Sequence, residues 1–375
     1  MNSPPVAQPR GRLTGERGAV YPGLMKAAVY RGPNDVRVEE LPIPAIGPQE
    51  LLLQVEVCGV CGTDLKKIVH GDLPSPRIFG HEVAGRVAAA GSGVTHWKVG
   101  DRVTSFHHIP CRRCSFCEVQ AYAQCPQYKK VGTSAGFEPA GGGFAEFMKI
   151  SDWIVAEGLI KIPETVEAEE ASFVEPVNTC LKGIQKSGIR AGHNVLLFGA
   201  GPVGLILLQL ARLEGANVFC IDPIPERLQI AKTLGATDTL PVFKQQEIAD
   251  IALVAAASSE AIASALEMVR PAGRVVLFAQ TRLGEFASLD VGQIGKLEKE
   301  LIGSYSASID LQEKAAQLVF SRKIQVKPLI THRFGLDQIQ EALRVAMQPS
   351  GQSLKVIIQP NGKLEAVPLP HRGFL

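Results

Sequence analysis

Four cysteines lie close together in the first half of the chain, and they constrain its fold more than any other feature. Cys111, Cys114, Cys117 and Cys125 are separated by two, two and seven residues. Thiolates at this spacing can surround one ion, and zinc in a closed structural site binds four such ligands in a tetrahedron. A disulfide pair or a thiol redox motif would use the same residue type. The number and spacing of the cysteines favour structural zinc.

The composition is that of a globular protein large enough for two domains. The chain has 375 residues, of which 46% are hydrophobic and 20% charged. Its net charge of +2 gives no electrostatic case for a nucleic-acid partner. The longest apolar stretch, Val195–Leu213, is interrupted by glycine, proline and arginine, so no membrane-spanning segment is predicted.

The first 24 residues differ from the rest because they are rich in proline and arginine and poor in apolar side chains. This composition predicts a disordered tail over residues 1–24. The tail has no apolar core of a secretory signal, and together with the ligand-like cysteines this favours a reducing cytoplasm. A strand-like run follows at Lys26–Tyr30, so Met25 is a candidate natural start.

Two patterns of secondary structure alternate along the chain. Residues 25–178 contain short β-like runs, and residues 179–322 alternate strands with helices, which predicts βαβ units and a parallel sheet. Residues 323–375 return to short, irregular elements that end in a strand at Leu354–Ile358. We therefore predict an α/β protein in which a doubly wound domain is inserted into a β-rich domain. The main predicted elements are strands Leu51–Val57, Val83–Ala89, Phe144–Ile150, Asn194–Phe198, Asn217–Ile221, Ile251–Ala255 and Arg274–Phe278, and helices Pro202–Glu214, Pro225–Leu234 and Ser258–Val269.

A glycine motif marks the start of the doubly wound part. The sequence Gly199-Ala200-Gly201-Pro202-Val203-Gly204 fits G-x-G-x-x-G, with a predicted strand before it and a helix after it. Its glycines would permit a tight turn, close approach of a pyrophosphate and close packing of helix on strand. The helix N-terminus would then stabilise the phosphate charge. The alternative is a tight strand-to-helix turn that binds nothing.

The end of the next predicted strand indicates which nucleotide would bind. Asp222 follows the glycine motif at the sequence spacing where, in dinucleotide-binding folds, a carboxylate accepts hydrogen bonds from the ribose hydroxyls and repels a 2′-phosphate. The first cation after it is Arg227, which we also assign to the cofactor site. We predict NAD rather than NADP.

A second set of metal-binding side chains lies before the four cysteines. Cys61, His81 and Glu82 offer a thiolate, an imidazole and a carboxylate, a set that suits catalytic zinc with one position open. Each residue alone has simpler explanations. Cys58 and Cys61 could form a C-x-x-C redox pair, and a lone histidine is often a buried, hydrogen-bonded core residue.

With these motifs, the chain from about Met25 onward resembles the zinc-dependent medium-chain dehydrogenases of the alcohol, polyol and threonine type. The resemblance rests on Cys61-Gly62-Thr63-Asp64, Gly80-His81-Glu82, the four cysteines, Val99-Gly100-Asp101-Arg102-Val103 and the glycine motif. It implies a GroES-like catalytic domain, an inserted Rossmann domain, NAD, two zinc ions per chain and a homodimer or homotetramer. A small-molecule substrate is expected.

The resemblance also implies roles for individual residues. Cys61 and His81 are similar to the ligands of catalytic zinc, and Glu82 to the carboxylate that ligates it or lies just behind it. Glu175 resembles a further carboxylate ligand of the polyol and threonine branch, and we prefer it to Cys180, which comes five residues later. The alternative for Glu175 is a salt bridge at the domain junction. Thr63 resembles the hydroxyl that hydrogen-bonds the bound alkoxide, and Asp64 resembles the carboxylate that orients the ligating histidine. Lys355 resembles a basic residue that contacts the cofactor pyrophosphate.

One position departs from the family pattern. Many relatives carry a histidine three residues after the threonine to pass the alcohol proton to solvent, and this chain has Lys66 there. Because that histidine is typical of the threonine branch, Lys66 weakens a threonine assignment. The proton could leave through Thr63 and water, or through Glu175. Lys66 could contact a phosphate or an acidic substrate, or could be an exposed surface lysine.

The main functional hypothesis is hydride transfer from a secondary hydroxyl of a polyol, sugar or sugar phosphate to NAD. Oxidation of L-threonine or another amino alcohol is the alternative within the family. Outside it, the chain could be a zinc-stabilised nucleotide-binding protein without turnover, although such a protein needs no open metal site. A nucleic-acid-binding zinc ribbon is disfavoured by the near-neutral charge.

Overall fold

The computed structural model describes residues 23–362 apart from 72, 129, 131, 138–140, 242–248, 280, 282 and 349. The predicted disordered tail therefore lies outside the described residues up to residue 22, and the first strand begins at Leu24. Among the described residues, no helix is both long enough and apolar enough to cross a bilayer.

Within the described part of the chain, the strands form three sheets. The strands are β1 (Leu24–Gly32), β2 (Asp35–Pro42), β3 (Leu51–Gly59), β4 (Arg77–Ile78), β5 (Glu82–Ala90), β6 (Arg102–Ser105), β7 (Thr133–Ser134), β8 (Phe147–Ile150), β9 (Leu159–Lys161), β10 (Asn194–Phe198), β11 (Asn217–Ile221), β12 (Asp238–Leu240), β13 (Ala249–Val254), β14 (Val269–Leu277), β15 (Glu300–Gly303), β16 (Ile330–Gly335) and β17 (Lys355–Gln359).

Helices of four to fourteen residues connect and cover these sheets. They are α1 (Gly62–His70), α2 (Ser115–Glu118), α3 (Asp152–Glu157), α4 (Ala168–Ala171), α5 (Val174–Ser187), α6 (Pro202–Leu213), α7 (Pro225–Thr233), α8 (Ser259–Met268), α9 (Val291–Lys296), α10 (Gln312–Phe320) and α11 (Ile339–Met347).

The β-rich part is assembled from both ends of the described chain. One sheet runs in the order β16-β17-β3-β5-β6-β9, with β8 also paired to β3 and β7 to β8, and a smaller sheet has the order β2-β1-β4. Strand β17 pairs antiparallel with β3, so the last strand closes against an early one. The core strand β3 is almost entirely buried because it carries a near-continuous apolar run.

The middle of the chain forms a six-stranded sheet in the order β12-β11-β10-β13-β14-β15, and every pair in it is parallel. Its central strands β10 and β13 are apolar runs covered on both faces, as strands of parallel sheets usually are. The strand order reverses between these two strands, and the crevice at such a point is where doubly wound sheets bind ligands. The predicted fold class is confirmed.

Helix α5 links the two parts. It packs against α6 and α10 of the parallel-sheet region. Val177, Cys180 and Leu181 on this helix belong to one apolar core with Val57 and Ala84 of the β-rich part. The continuous core fixes the first turn of α5 at the boundary between the two parts.

The structure differs from the sequence-based elements in several places, and three of these differences involve β14, α11 and α5. The strand predicted at Arg274–Phe278 is β14, which already starts at Val269 and ends at Leu277. The irregular segment predicted after residue 323 contains α11, a nine-residue helix with one buried apolar face. The fourteen-residue helix α5 was not predicted. The domain bounds 25–178, 179–322 and 323–375 stay a prediction.

Candidate functional site

The loop between β3 and α1 places Cys61 at a helix N-terminus. Its sulfur accepts a hydrogen bond from the Thr63 N–H at 3.4 Å, and the Asp64 carboxylate accepts one from the Cys61 N–H at 3.4 Å. These reciprocal bonds form a capping box. The positive end of the helix dipole stabilises a thiolate, which is the form of cysteine that binds metal.

His81 lies beside this helix end because the chain turns at Gly80, where φ is +98°. The His81 Nδ1 is 3.1 Å from Oδ1 of Asp64, whose side chain is buried. An ionised carboxylate only accepts, so Nδ1 carries the hydrogen and Nε2 is left with a lone pair for a metal. This contact fits an Asp64 that orients His81, and that role stays a prediction.

The charges around this histidine favour a cation. Burial alone would lower the pKa of His81, but Asp64 and Cys61 outweigh it and raise that pKa well above its usual value. Burial likewise opposes ionisation of Asp64, and His81 overcomes it and lowers the Asp64 pKa. A positive charge at this point is stabilised whether a proton or a metal ion supplies it.

Three ligand atoms converge here. One atom each from Cys61, His81 and Glu82 lie within 4.8 Å of one another, and we call these residues the open-site group. One thiolate, one imidazole and one carboxylate fit zinc in a site with a position left for substrate. The donor set therefore suits the predicted catalytic metal.

Lys355 has a partner that the sequence did not indicate. Its buried ammonium forms an ion pair with Glu82 and lies 5.9 Å from the centre of the Phe173 ring. Burial opposes its charge, yet Glu82 raises the Lys355 pKa. A Cβ at Gly59 would meet the side chains of both partners, so a larger residue there would force the ion pair to shift. The structure thus places Lys355 behind the open-site group, and its contact with a pyrophosphate stays a prediction.

Glu175 is in the first turn of α5 and lines the same cavity, but it is not among the three ligand atoms that converge. Its Oε1 is 3.5 Å from the Thr179 hydroxyl. Burial raises the Glu175 pKa to about 7, with a smaller contribution from Glu82 and opposition from His81. Its role as a further zinc ligand stays a prediction.

These residues face a cavity of about 340 Å³ between the β-rich part and the parallel sheet. The β-rich part contributes the open-site group, Thr63, Asp64 and Phe79, and the parallel-sheet region contributes apolar side chains from the first turn of α6 and from the segments after β13 and β14. Those apolar residues are Val203, Ala255, Ala257, Phe278 and Ala279. Two reactants could meet in this space, one from each side.

Sequence reasoning missed two histidines that line the cavity. The rings of His81 and His107 are 5.2 Å apart, and those of His107 and His108 are 3.9 Å apart. Burial lowers the pKa of both, to about 3 for His108, so they are neutral at pH 7. The sequence did contain a signal for them. The two histidines are adjacent and come shortly before Cys111, in a chain that has eight histidines.

The four cysteines of the first motif also converge. One sulfur from each lies within 4.8 Å of the others, with Cys114 and Cys117 at 3.6 Å and Cys111 and Cys117 at 4.0 Å. These distances exceed a disulfide bond of about 2.05 Å. Backbone N–H groups of Cys111 and Tyr128 lower the pKa of Cys125 despite its burial, whereas burial and the other sulfurs raise that of Cys117. A divalent cation would allow all four thiolates to exist together.

The glycine motif has the geometry of a phosphate site. Gly199 has φ of +101° and begins the turn after β10, and a Cβ at Gly204 would collide with the Gly199 carbonyl. Gly201 is the N-cap of α6 and Pro202 follows at its first turn, so no side chain caps the helix N–H groups. Unused N–H groups at a helix N-terminus bind anions.

Asp222 and Arg227 lie beside this turn. The Asp222 carboxylate accepts hydrogen bonds from Ala200 N–H at 2.7 Å and Ile224 N–H at 2.9 Å, and each oxygen still has a free lone pair. Arg227 donates to the Ser353 carbonyl at 3.0 Å. Both predicted cofactor residues are therefore adjacent to the glycine turn.

Two family models match the chain. The alcohol dehydrogenase GroES-like domain matches residues 47–164 and the zinc-binding dehydrogenase model matches residues 202–321. Sorbitol dehydrogenase from Bacillus subtilis is 30% identical over 357 residues, which is 91% of this chain and 98% of that protein.

Solved structures of dehydrogenases are also similar to this chain. A putative zinc-binding dehydrogenase from Sinorhizobium meliloti bound to NADP has a TM-score of 0.80 and 30% identity over 90% of this chain and 100% of that one. Galactitol-1-phosphate dehydrogenase from Escherichia coli has a TM-score of 0.78 and 28% identity over 90% of this chain and 100% of that one. The similarity covers both parts of the chain.

Proposed function

The chain belongs to the family of zinc-binding alcohol dehydrogenases with a GroES-like domain, and from this premise we propose that it oxidises a secondary hydroxyl of a polyol, sugar or sugar phosphate with NAD as hydride acceptor. The observation that carries the proposal is that the open-site group lines a cavity that residues directly after two of the parallel strands also line. The names of the relatives, sorbitol dehydrogenase and galactitol-1-phosphate dehydrogenase, support the substrate class.

The residues of the site divide the chemistry among them. Zinc held by Cys61, His81 and Glu82 would supply Lewis-acid polarisation of the substrate hydroxyl, and bound NAD would accept the hydride. The Thr63 hydroxyl lines the cavity next to Cys61 and would take up the substrate's hydroxyl proton as it passes its own proton onward, while the C–H electron pair leaves as hydride to NAD. Asp64 keeps the ligating histidine in one tautomer.

Two routes could carry the proton onward from Thr63. One is water in the cavity, and the other is Glu175, whose pKa of about 7 lets it exchange a proton near neutrality. Phe79, Val203 and Phe278 present apolar surface to the cavity, and this surface limits how much water surrounds the departing hydride.

NADH formation with a panel of compounds tests the proposal. The panel contains D-sorbitol, other polyols, sugar phosphates, L-threonine and simple alcohols. Oxidation of a polyol or its phosphate supports the proposed class, and preference for L-threonine selects the amino-alcohol alternative. Zinc-loaded protein that binds NADH and oxidises none of them would instead be a nucleotide-binding protein without turnover.

We further propose two zinc ions per chain, a cytoplasmic location and a homodimer or homotetramer. The two groups of converging ligand atoms support the zinc number. Metal analysis of the purified protein and light scattering test the first and last of these proposals.

We expect that a double substitution, Asp222→Ser with Pro223→Arg, shifts the nucleotide preference from NAD towards NADP. The change removes the carboxylate that repels a 2′-phosphate and adds a cation beside it. The ratio of kcat/KM for the two nucleotides should change by about 100-fold, as expected for the loss and gain of charged hydrogen bonds. Comparable efficiency of the wild-type chain with both nucleotides would contradict the NAD proposal.

A further inference from the structure

A row of four rings extends from the open-site group along one wall of the cavity. The ring of His81 is followed by those of His107, His108 and Tyr128, with 5.2, 3.9 and 4.7 Å between successive ring centres. Both His107 and His108 line the cavity, whereas Tyr128 is buried. This wall therefore brings polar side chains that have no part in the mechanism above close to the metal-binding residues.

Tyr128 fixes the orientation of Ser306, which also lines the cavity. The Tyr128 hydroxyl is 2.9 Å from the Ala307 carbonyl oxygen and 3.0 Å from the Ser306 hydroxyl. A tyrosine hydroxyl has one hydrogen, and a carbonyl only accepts. Both contacts can be hydrogen bonds at once only if Tyr128 donates to Ala307 and Ser306 donates to Tyr128. The lone pairs of Ser306 Oγ then stay available to accept a hydrogen bond in the cavity.

The backbone at Ser306 has a conformation that serine seldom adopts. Its φ is +59°, in the left-handed region that is uncommon for residues other than glycine. Such residues persist where the surrounding structure enforces them, and they cluster at functional sites. Here the Asn178 side chain of α5 bonds both the N–H and the carbonyl of Ser308, each at 2.9 Å. The segment after β15 thus presents Ser306 to the cavity in a fixed position.

His108 offers the complementary hydrogen-bonding group. It is half-buried, and within the described part of the chain neither of its ring nitrogens has a hydrogen-bond partner. An imidazole with one proton donates from one nitrogen and accepts at the other. Since His108 packs against the Tyr128 ring and Ser306 bonds the hydroxyl of the same residue, the two groups lie near each other at the cavity surface.

The chemistry of this pair fits a hydroxyl better than an anion or an apolar group. A hydroxyl both donates and accepts, so it can donate to Ser306 Oγ while it accepts from His108. A carboxylate or phosphate oxygen that only accepts gains nothing from Ser306, whose hydrogen already bonds Tyr128. An apolar chain would leave both groups without a partner when it displaces water from them, which weakens binding.

Resting on the proposed function, we propose that Ser306 and His108 bind a second hydroxyl of the substrate and so select polyols over alcohols with a single hydroxyl. The reacting hydroxyl lies at Thr63 and the open-site group, and the row of rings leads from there to the second hydroxyl. A substrate held at two points keeps its reacting carbon in one position relative to the nicotinamide. Ser306 and His108 are therefore specificity-determining residues.

Three probes with the same six-carbon chain test this subsite. D-sorbitol and galactitol carry several hydroxyls, and 2-hexanol carries one secondary hydroxyl alone. We expect kcat/KM for NADH formation to be at least about 100-fold higher with one of the two polyols than with 2-hexanol, because a site that hydrogen-bonds a substrate hydroxyl rejects the analogue that lacks it.

Variants connect this preference to the two side chains. Ser306→Ala and His108→Phe should each lower kcat/KM for the preferred polyol by about 10- to 100-fold, mainly through KM, and change that for 2-hexanol by less than about 3-fold. Phenylalanine keeps a ring against Tyr128. Ser306→Gly should act like Ser306→Ala although glycine accepts the positive φ, which separates loss of the hydroxyl from backbone strain. The matched control is Ser308→Ala, a serine two positions later that is not among the described residues lining the cavity.

Failure of the subsite and failure of the proposed function give different results. If 2-hexanol is oxidised as well as the polyols, or if the variants affect polyol and 2-hexanol equally, the subsite is overturned and the proposed function stands.

Calorimetry with the zinc-containing, NADH-loaded protein separates the cases without turnover. A polyol that binds the wild type, binds the Ser306→Ala and His108→Phe variants at least about 10-fold more weakly and is never oxidised would support the subsite and contradict the proposed function. Neither binding nor oxidation of either polyol would overturn the subsite, and the proposed function then fails as well if no compound of the wider panel is oxidised.

Discussion

We expect that replacing Cys61 by alanine lowers the rate of substrate oxidation by a factor on the order of 10⁴, while the folded chain still binds NADH. The sulfur is one of three ligand atoms within 4.8 Å of one another, and an open site cannot lose one of three protein ligands and keep its metal in place. His81→Ala should have the same effect. The glycine turn and Asp222 lie on the parallel sheet, away from either substitution.

The measurements are the rate of NADH formation, the zinc content per chain and the affinity for NADH by fluorescence. The matched control is Cys58→Ala, which removes a buried cysteine three positions earlier that is not in the open-site group. It should retain zinc and most of the activity. If loss of Cys58 were as damaging as loss of Cys61, a redox pair would explain the site better. A Cys61→Ala variant with nearly full activity would overturn the assignment of zinc chemistry.

The sequence predicted the parallel sheet well because its signals are local. Strands β10 and β11 have the predicted bounds, since each is a short apolar run ended by glycine or a charged residue. Helix α5 was missed because it begins at Val174 directly before Glu175-Pro176, and the proline indicated a break where the helix instead has its first turn. Helix α11 was missed although its signal is local, since Ile339, Ala342 and Leu343 recur at helical spacing and form its buried face.

Only those site residues that belong to sequence motifs could be predicted. The open-site residues and the four cysteines came from spacing and family resemblance, and the structure brings each set together. Lys355 could not be paired with Glu82 from the sequence, because 273 positions separate them and only the pairing of β17 with β3 brings them into contact. The position of His107 and His108 at the cavity likewise depends on long-range packing.

The second large effect concerns the four cysteines. We expect Cys111→Ser to remove one zinc ion per chain and to lower the melting temperature by about 5–15 °C, because a structural zinc contributes free energy directly to folding. Cys117 and Cys125 are buried in the same apolar core as Tyr128. The Tyr128 hydroxyl donates to the Ala307 carbonyl at 2.9 Å, so a loosened metal loop would also disturb the segment after β15 that lines the cavity.

Metal analysis, calorimetric melting and kinetics of the same preparations test this expectation. Cys220→Ala is the matched control, because this buried cysteine belongs to β11 and to neither group of converging ligand atoms. It should keep both zinc ions and lose only the small free energy that a cavity in a core costs, about 1–2 kcal/mol. A Cys111→Ser protein with unchanged melting temperature would mean that the four sulfurs bind no structural metal. One with the zinc lost and kcat alone reduced would assign these cysteines to catalysis, since a stabilising metal must first affect folding.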